Sequence, residues 1–393
     1  MKPIQSKRLA ELGSAIFSEM AQWKKEVQER GVDVIDLGIG SPDRPPSPKV
    51  MQVLAEAAMN PRMYGYPTSE GSHAFREAVA RWYKHRFGVE LDPEREIVTL
   101  MGSQDGLAHL ALAVTDPGDT VLVPDPGYPI YSASLVLAGV KPYFLPLRAE
   151  NDFLPKLEDI PEETARKAKF ILLNYPSNPL SAVATLEFFR KLVDYARRHE
   201  SLIVHDLAYS EMAFDGFRPP SILEVEGARE IAVEFHSLSK SFNMAGRRIA
   251  FMVGQQDAVR ALRVLKSNID YGVFLGVQEA GIAALEEDMS PESRPVAGLY
   301  ERRRDIVIDG LKQAGWDIPK PKATMFIWAP IPKGWTARQI SREILYSAGV
   351  VVIPGDAFGQ EGEGYVRIAL VQEEERLREA VQRIARFLQE ARP

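Results

Sequence analysis

Lys240 is the residue in this chain best placed for covalent chemistry. It follows a short apolar run, Ile231–Phe235, which is bounded by polar turn residues and predicts a buried strand. A lysine just off a buried strand end is poorly placed as a solvated charge. A desolvated amine loses its proton readily and can form a Schiff base with a carbonyl. Ser237 and Ser239 flank it, and Arg248 lies eight residues on. Two hydroxyls and a guanidinium suit a phosphate, which arginine grips as a two-pronged fork. The bland alternative is a polar loop with Arg248 as a surface charge.

A second anion site is written at Gly102-Ser103-Gln104, between the strand predicted at Ile97–Leu100 and the helix predicted from Leu107 to Val114. Unpaired N–H groups at a helix start favour phosphate, although Ser103 could equally be an ordinary N-cap. Tyr128 sits in a proline-flanked turn after the strand Thr120–Val123 and could stack on a planar ring or simply pack. The glycines around Gly40 allow close backbone approach to a ligand or make a plain turn. Arg367 interrupts an apolar strand, Tyr365–Leu370, so it either faces solvent or binds a carboxylate.

The elements that must position these residues alternate. Strands are expected at Lys141–Leu145, Phe170–Leu173, Leu202–Val204 and Ile249–Val253, with a helix at Leu186–Arg198. Alternation from Ile97 to Val253 predicts an α/β fold with a mostly parallel sheet covered by helices. Ligands of such sheets bind beyond the strands' carboxyl ends. Gly102–Gln104, Tyr128, Asn178, Asp206 and Lys240 all fall there, so one pocket could collect them. Upstream, helices are expected at Ser14–Arg30, Ser47–Met59 and Ser72–Phe87. Downstream, they are expected at Asp257–Lys266, Gln278–Leu285, Val296–Ala314 and Glu373–Ala391, with strands at Met325–Ala329 and Val350–Ile353. The segment Asp288–Pro295 reads as a breaker.

The chain has 393 residues, 45% apolar and 26% charged, with net charge −6 and no cysteine. That length suits a large domain plus a smaller one. The acidic balance argues against a nucleic-acid-binding surface. Disulfides and thiolate chemistry are excluded. The six histidines lack metal-ligand spacing, so no metal is expected; His73, His85 and His109 read as surface or packing residues. No apolar run reaches the ~18 residues that span a bilayer, and Met1–Leu9 opens no signal sequence. A cytoplasmic location is expected.

Taken in order, these motifs resemble the fold-type I pyridoxal-phosphate aminotransferases of class I and II. The likeness runs from Gly40 to Arg367. It is carried by Gly40-Ser41-Pro42-Asp43, Tyr66 with Gly71, Gly102-Ser103-Gln104, Pro124-x-Pro126-x-Tyr128, Asn174-x-Pro176-x-Asn178-Pro179, Asp206-x-x-Tyr209, Ser237-x-Ser239-Lys240, Arg248 and Arg367. The resemblance implies pyridoxal 5'-phosphate as cofactor, bound to Lys240 as a Schiff base. It implies that Asp206 pairs with the ring nitrogen, that Asn178 and Tyr209 hold the ring's phenolic oxygen, and that Tyr128 stacks on the ring. Ser103, Gln104, Ser237 and Arg248 would hold the phosphate, joined by Tyr66 of the neighbouring subunit in a homodimer. Gly40 and Arg367 would hold the substrate carboxylate. The implied reaction is amino transfer between an L-amino acid and a 2-oxo acid by ping-pong kinetics.

The resemblance also implies a large domain at 48–287 and a small one from 1–47 and 288–393, closing on substrate. Leu180-Ser181 stands where the family often has Thr-Gly, and Arg247 where Trp is frequent. Within the group the nearest likeness is to LL-diaminopimelate aminotransferases, through Gly38–Asp43, Tyr64–Gly71 and Glu234–Lys240. Aspartate, alanine and aromatic aminotransferases are also similar. The alternatives of another class are a pyridoxal-phosphate carbon–sulfur β-lyase and a non-enzymatic ligand-sensing regulator.

Overall fold

The computed structural model describes residues 4–12, 15–291 and 296–390. Its centre is a seven-stranded sheet in the order Ile97–Leu100, Ala250–Gly254, Ala232–Ser237, Leu202–Asp206, Ala168–Asn174, Thr120–Asp125, Lys141–Pro146. The last five are mutually parallel. Ala250–Gly254 runs against both its neighbours. That reversal decides the site's geometry. Arg248 precedes the one reversed strand, so its amino end meets the carboxyl ends of the other six on a single edge. The interior strands are mostly apolar because helices cover both faces, and a separate core packs each face.

The helices follow their sequence signals. Leu186–Arg198 starts where the Thr185 hydroxyl accepts from the Phe188 N–H, and it buries Phe188, Phe189, Leu192, Val193, Tyr195 and Ala196 as one stripe. His73–Phe87 is capped by Ser72 and stopped by Gly88 in the left-handed region at φ 69°. Behind the sheet, the fully buried Glu234 accepts hydrogen bonds from Tyr83, Ser221, the Ile222 N–H and His205. Burial alone would raise this carboxyl. The bond from His205, with His236 Nε2 3.5 Å away, outweighs it and holds the pKa well below the usual range.

A second core gathers around Phe326–Pro330, Ile353–Pro354 and Tyr365–Ala369, an antiparallel sheet backed by Ala297–Gln313 and Glu374–Glu390. Several expectations need correction here. Val350–Ile353 is not one strand. Val350–Val351 pairs in parallel with Ile35–Asp36, while Ile353–Pro354 joins the antiparallel sheet, so Val352 is a crossing point. The helix Pro129–Ala138 has no counterpart among the expected elements. It is apolar on nearly every side, which blurs its period, but Pro129 at its first position and Gly139 beyond its end mark it. The helix Ala337–Glu343 was likewise not expected. The phosphate-loop helix starts at Ser103, four residues earlier than expected. Ser14, Ala391 and the stretch 292–295 of the expected breaker lie outside the described residues.

Candidate active site

At the shared sheet edge lies a cavity of about 550 Å3. Gly40, Ser103, Gln104, Tyr128, Asn178, Asp206, Tyr209, Ser237, Lys240, Arg248 and Arg367 all line it. Tyr66 does not. It is 88% exposed, with its ring 5.2 Å from that of Tyr271.

Lys240 stands on a short helix, Leu238–Ser241, directly after the strand Ala232–Ser237. Its amine donates to the Gly40 carbonyl. Burial, then the nearby charges of Arg367 and Arg248, bring its pKa down from 10.5 to about 8. A proton therefore leaves this amine far more readily than it leaves a free lysine. Among the described residues no carboxylate pairs with this amine, so the Gly40 carbonyl is the only hydrogen-bond partner of the ammonium form.

Asp206 ends the strand Leu202–Asp206 and is buried. Its Oδ2 accepts from the Tyr131 hydroxyl at 2.8 Å and its Oδ1 from the Ala208 N–H at 3.2 Å. Burial pushes its pKa up, against those two bonds and the charge of His205. A buried acid poised in this way, facing a cavity, is completed by a cationic N–H donor. Tyr209 is buried, which raises its phenol, and it lines the cavity together with Asn178. The Asn174 Oδ1 accepts from the Asn178 N–H at 2.7 Å, and the Asn174 amide donates to the Asp206 carbonyl at 2.8 Å. One side chain thus ties both strand ends together.

Arg248 sits in the left-handed region at φ 52°. It donates to the Ala245 carbonyl at 2.9 Å and approaches the Ser239 Oγ at 3.4 Å. Gly102, at φ 83°, is the residue on which its guanidinium rests. A Cβ there would lie 2.1 Å from Arg248 Nη2. Only glycine leaves room for the fork beside the start of the helix Ser103–Val114. The Tyr128 hydroxyl donates to Gln104 Oε1 at 3.3 Å.

Arg367 is buried, held by Asn178 Oδ1 at 2.8 Å and the Gly38 carbonyl at 2.9 Å. Phe326 and Phe358 sandwich it, with ring centroids 4.3 and 4.7 Å from Cζ. Burial draws its pKa down to about 10, so it stays charged at neutral pH. Its Nε has no partner. A buried guanidinium with a free N–H and no carboxylate partner is a seat for an incoming carboxylate. The Gly38–Asp43 turn beside it is fixed by Arg303, which grips Asp43 through two bonds of 2.7 Å.

Sequence reasoning quoted Asn174 in a motif without a role, and it missed Tyr131, Arg303 and Phe358. Tyr131 carried a signal, since it lies three residues after Tyr128 on a helix that starts with proline. The others join the site through contacts distant in sequence, which no local pattern encodes.

A seven-stranded sheet with one reversed strand and a buried lysine, acid and arginine around one cavity place the chain in a class that comparison with known proteins defines. It belongs to the class I and II aminotransferases: the family model "Aminotransferase class I and II" matches residues 32–384. The chain is 48% identical to the LL-diaminopimelate aminotransferase of Moorella thermoacetica and 49% identical to that of Desulforudis audaxviator, in each case over 98% of both chains. The substrate-bound structure of BacF from Bacillus subtilis superposes with a TM-score of 0.92 at 38% identity, covering 98% of both chains. The protein is therefore a pyridoxal 5'-phosphate-dependent transaminase acting on small-molecule amino acids and 2-oxo acids. The fold-type I architecture is the one expected. Among the described residues no helix is long and apolar enough to cross a membrane.

The residues present fit that cofactor. The Gly102 cradle with Arg248 and the helix start suits its phosphate. The buried Asp206 suits a ring nitrogen, and the Asn178–Tyr209 pair suits a phenolic oxygen.

Proposed function

We propose that the protein transfers the amino group of LL-diaminopimelate to 2-oxoglutarate. The observation that carries the reaction is the buried, partly unpaired Arg367 facing the same cavity as the depressed amine of Lys240. The substrate is suggested by what the two curated relatives are named for. The cavity lies within the ~300–1,000 Å3 usual for ligand pockets, which leaves room for a cofactor and a long amino acid.

Bound here, pyridoxal phosphate supplies an aldehyde that condenses with amines and a ring that takes up the electrons of a breaking Cα–H bond. Ser103, Gln104, Ser237 and Arg248 bind its phosphate. Asp206, oriented by Tyr131, stays ionised against a protonated ring nitrogen. Asn178 and Tyr209 bond the phenolic oxygen, and Tyr128 covers a ring face. Gly40 and Arg367 hold the substrate α-carboxylate and so orient the Cα–H toward Lys240. The freed Lys240 Nζ, neutral above pH about 8, takes the Cα proton and returns it to the carbon on the other side of the transferred nitrogen.

The working unit on this reading is a homodimer in the cytoplasm, with Tyr66 reaching the partner's cavity. The large and small domains divide near Pro48 and Glu287.

Half-reactions test the substrate. Single amino acids are added to the cofactor-loaded protein and the visible spectrum is followed. LL-diaminopimelate and glutamate should convert the spectrum, while aspartate and aromatic amino acids do so weakly. Faster conversion by aspartate, alanine or aromatics would contradict the proposed donor. Release of pyruvate, ammonia and thiol from cystathionine without a 2-oxo acid would point to the β-lyase instead.

A further inference from the structure

Three residues past Gly102 stands an acid. Asp105 lies in the first turn of the helix Ser103–Val114, and its Oδ2 accepts from the Met101 N–H at 2.9 Å. That bond closes the turn around Gly102, Ser103 and Gln104 from behind. An acid so near a phosphate seat ought to repel the ligand. Here its charge is answered. Lys266, fully buried at the end of the helix Gln256–Lys266, donates to the same Oδ2 at 2.7 Å. His109 lies 2.8 Å from Oδ1. Against the raising effect of burial, the His109 bond and Lys266 lead in holding the Asp105 pKa at about 2, so it is ionised at every working pH.

Lys266 does not stop at Asp105. Its ammonium also donates to Asp270 Oδ2 at 2.9 Å, and Asp270 Oδ1 accepts from the Gly272 N–H at 2.7 Å. Gly272, at φ 85°, is pressed against the Thr68 carbonyl, 2.4 Å from where its Cβ would be. One buried cation thus fastens the back of the phosphate turn to a second turn. A lysine with no exposed side-chain surface is costly to bury unless paired. None of its partners touches the reacting centre.

We propose that Asp105 and Lys266 are positioning residues for cofactor phosphate. Asp105 shapes the turn through the Met101 N–H, and Lys266 both holds Asp105 in place and offsets part of the repulsion it would exert. The proposal rests on reading Gly102–Gln104 as the phosphate seat.

The test compares pyridoxal 5'-phosphate with pyridoxal, which lacks the phosphate, by fluorescence titration of cofactor-free protein. Asp105→Ala and Lys266→Met should each weaken pyridoxal phosphate binding about tenfold or more, the worth of one charge-assisted hydrogen bond. Pyridoxal binding should stay within about twofold of wild type. If Lys266→Met fails to fold because two carboxylates are left facing each other, the double variant Asp105→Ala/Lys266→Met removes the central pair and carries the test. Equal losses for both ligands would mean a general structural role and overturn the proposal. So would unchanged affinity for both ligands in Asp105→Ala and the double variant. If wild type itself fails to prefer pyridoxal phosphate over pyridoxal, the phosphate seat is misplaced and the site reading falls with the proposal.

Discussion

At the scale of single residues, the site works by withholding partners. Lys240 has no carboxylate beside it, and Arg367 keeps a buried N–H free. The sign of the Lys240 shift gives a prediction. Its folded pKa of about 8 lies below the unfolded value of 10.5. Below pH 8 the protein holds a buried ammonium at full cost, and the cost fades as pH rises from 8 toward 10.5. Cofactor-free Lys240→Met keeps the stem and loses the charge. It should melt a few degrees higher than wild type at pH 7, the gap narrowing by pH 10. Capture of cofactor by the wild type should speed up as pH rises through about 8, read by stopped-flow absorbance. Arg367 gives a second prediction. Arg367→Lys keeps the charge but loses the fork and the aromatic stacking. We expect kcat/KM to fall about a hundredfold or more, mostly through KM, for every amino acid tried. A loss confined to one donor would mean that Arg367 binds a side chain rather than the common α-carboxylate.

At the scale of elements, one reversed strand brings Arg248 to the edge where the other strands end. The close approach of Gly102 to Arg248 then makes Gly102→Ala a sharp probe. The added methyl meets Nη2 and a φ of 83° at once. Cofactor affinity, measured by equilibrium dialysis, should drop about ten- to a hundredfold, and the cofactor-free form should also melt a few degrees lower because alanine is strained at this φ. This level was partly legible in the sequence. The strand end at Leu100 was readable, and those at Asn174 and Asp206 were readable to within two residues, because buried strands are short apolar runs stopped by polar turns. The reversal of Ala250–Gly254 was not, since an apolar strand reads alike in both directions. Pro129–Ala138 escaped because a helix apolar on nearly every side has no polar face to set its period. The split at Val352 escaped because four consecutive apolar residues look like one strand, and only pairing separates them. Lys240, Asp206 and Arg367 were found because a charge beside or inside an apolar run stands out. Arg303 was not, because it belongs to the site only through its distant contact with Asp43.

At the scale of the whole molecule, the cavity lies where the two cores meet. Tyr209, at the exit of the large sheet, packs in the second core with Phe326, ring centroids 6.0 Å apart. Substrate carboxylate held by Arg367 and cofactor held by Lys240 would therefore draw the proposed domains together, and small-angle scattering should show a more compact particle with substrate. Tyr66 adds a test of the dimer. It is exposed in its own chain, so Tyr66→Ala should weaken cofactor binding only where a second subunit is present. Dilution below the dimer's dissociation constant should erase the difference from wild type. The central claim is that Lys240 is the amine that takes cofactor and moves the proton, and a spectral titration tests it most directly. Pyridoxal phosphate is added to cofactor-free wild type and to Lys240→Ala, followed by glutamate. Wild type should develop a visible band that glutamate converts, while Lys240→Ala binds cofactor without that band and without catalytic turnover. Identical spectra and equal turnover in the two proteins would contradict the account.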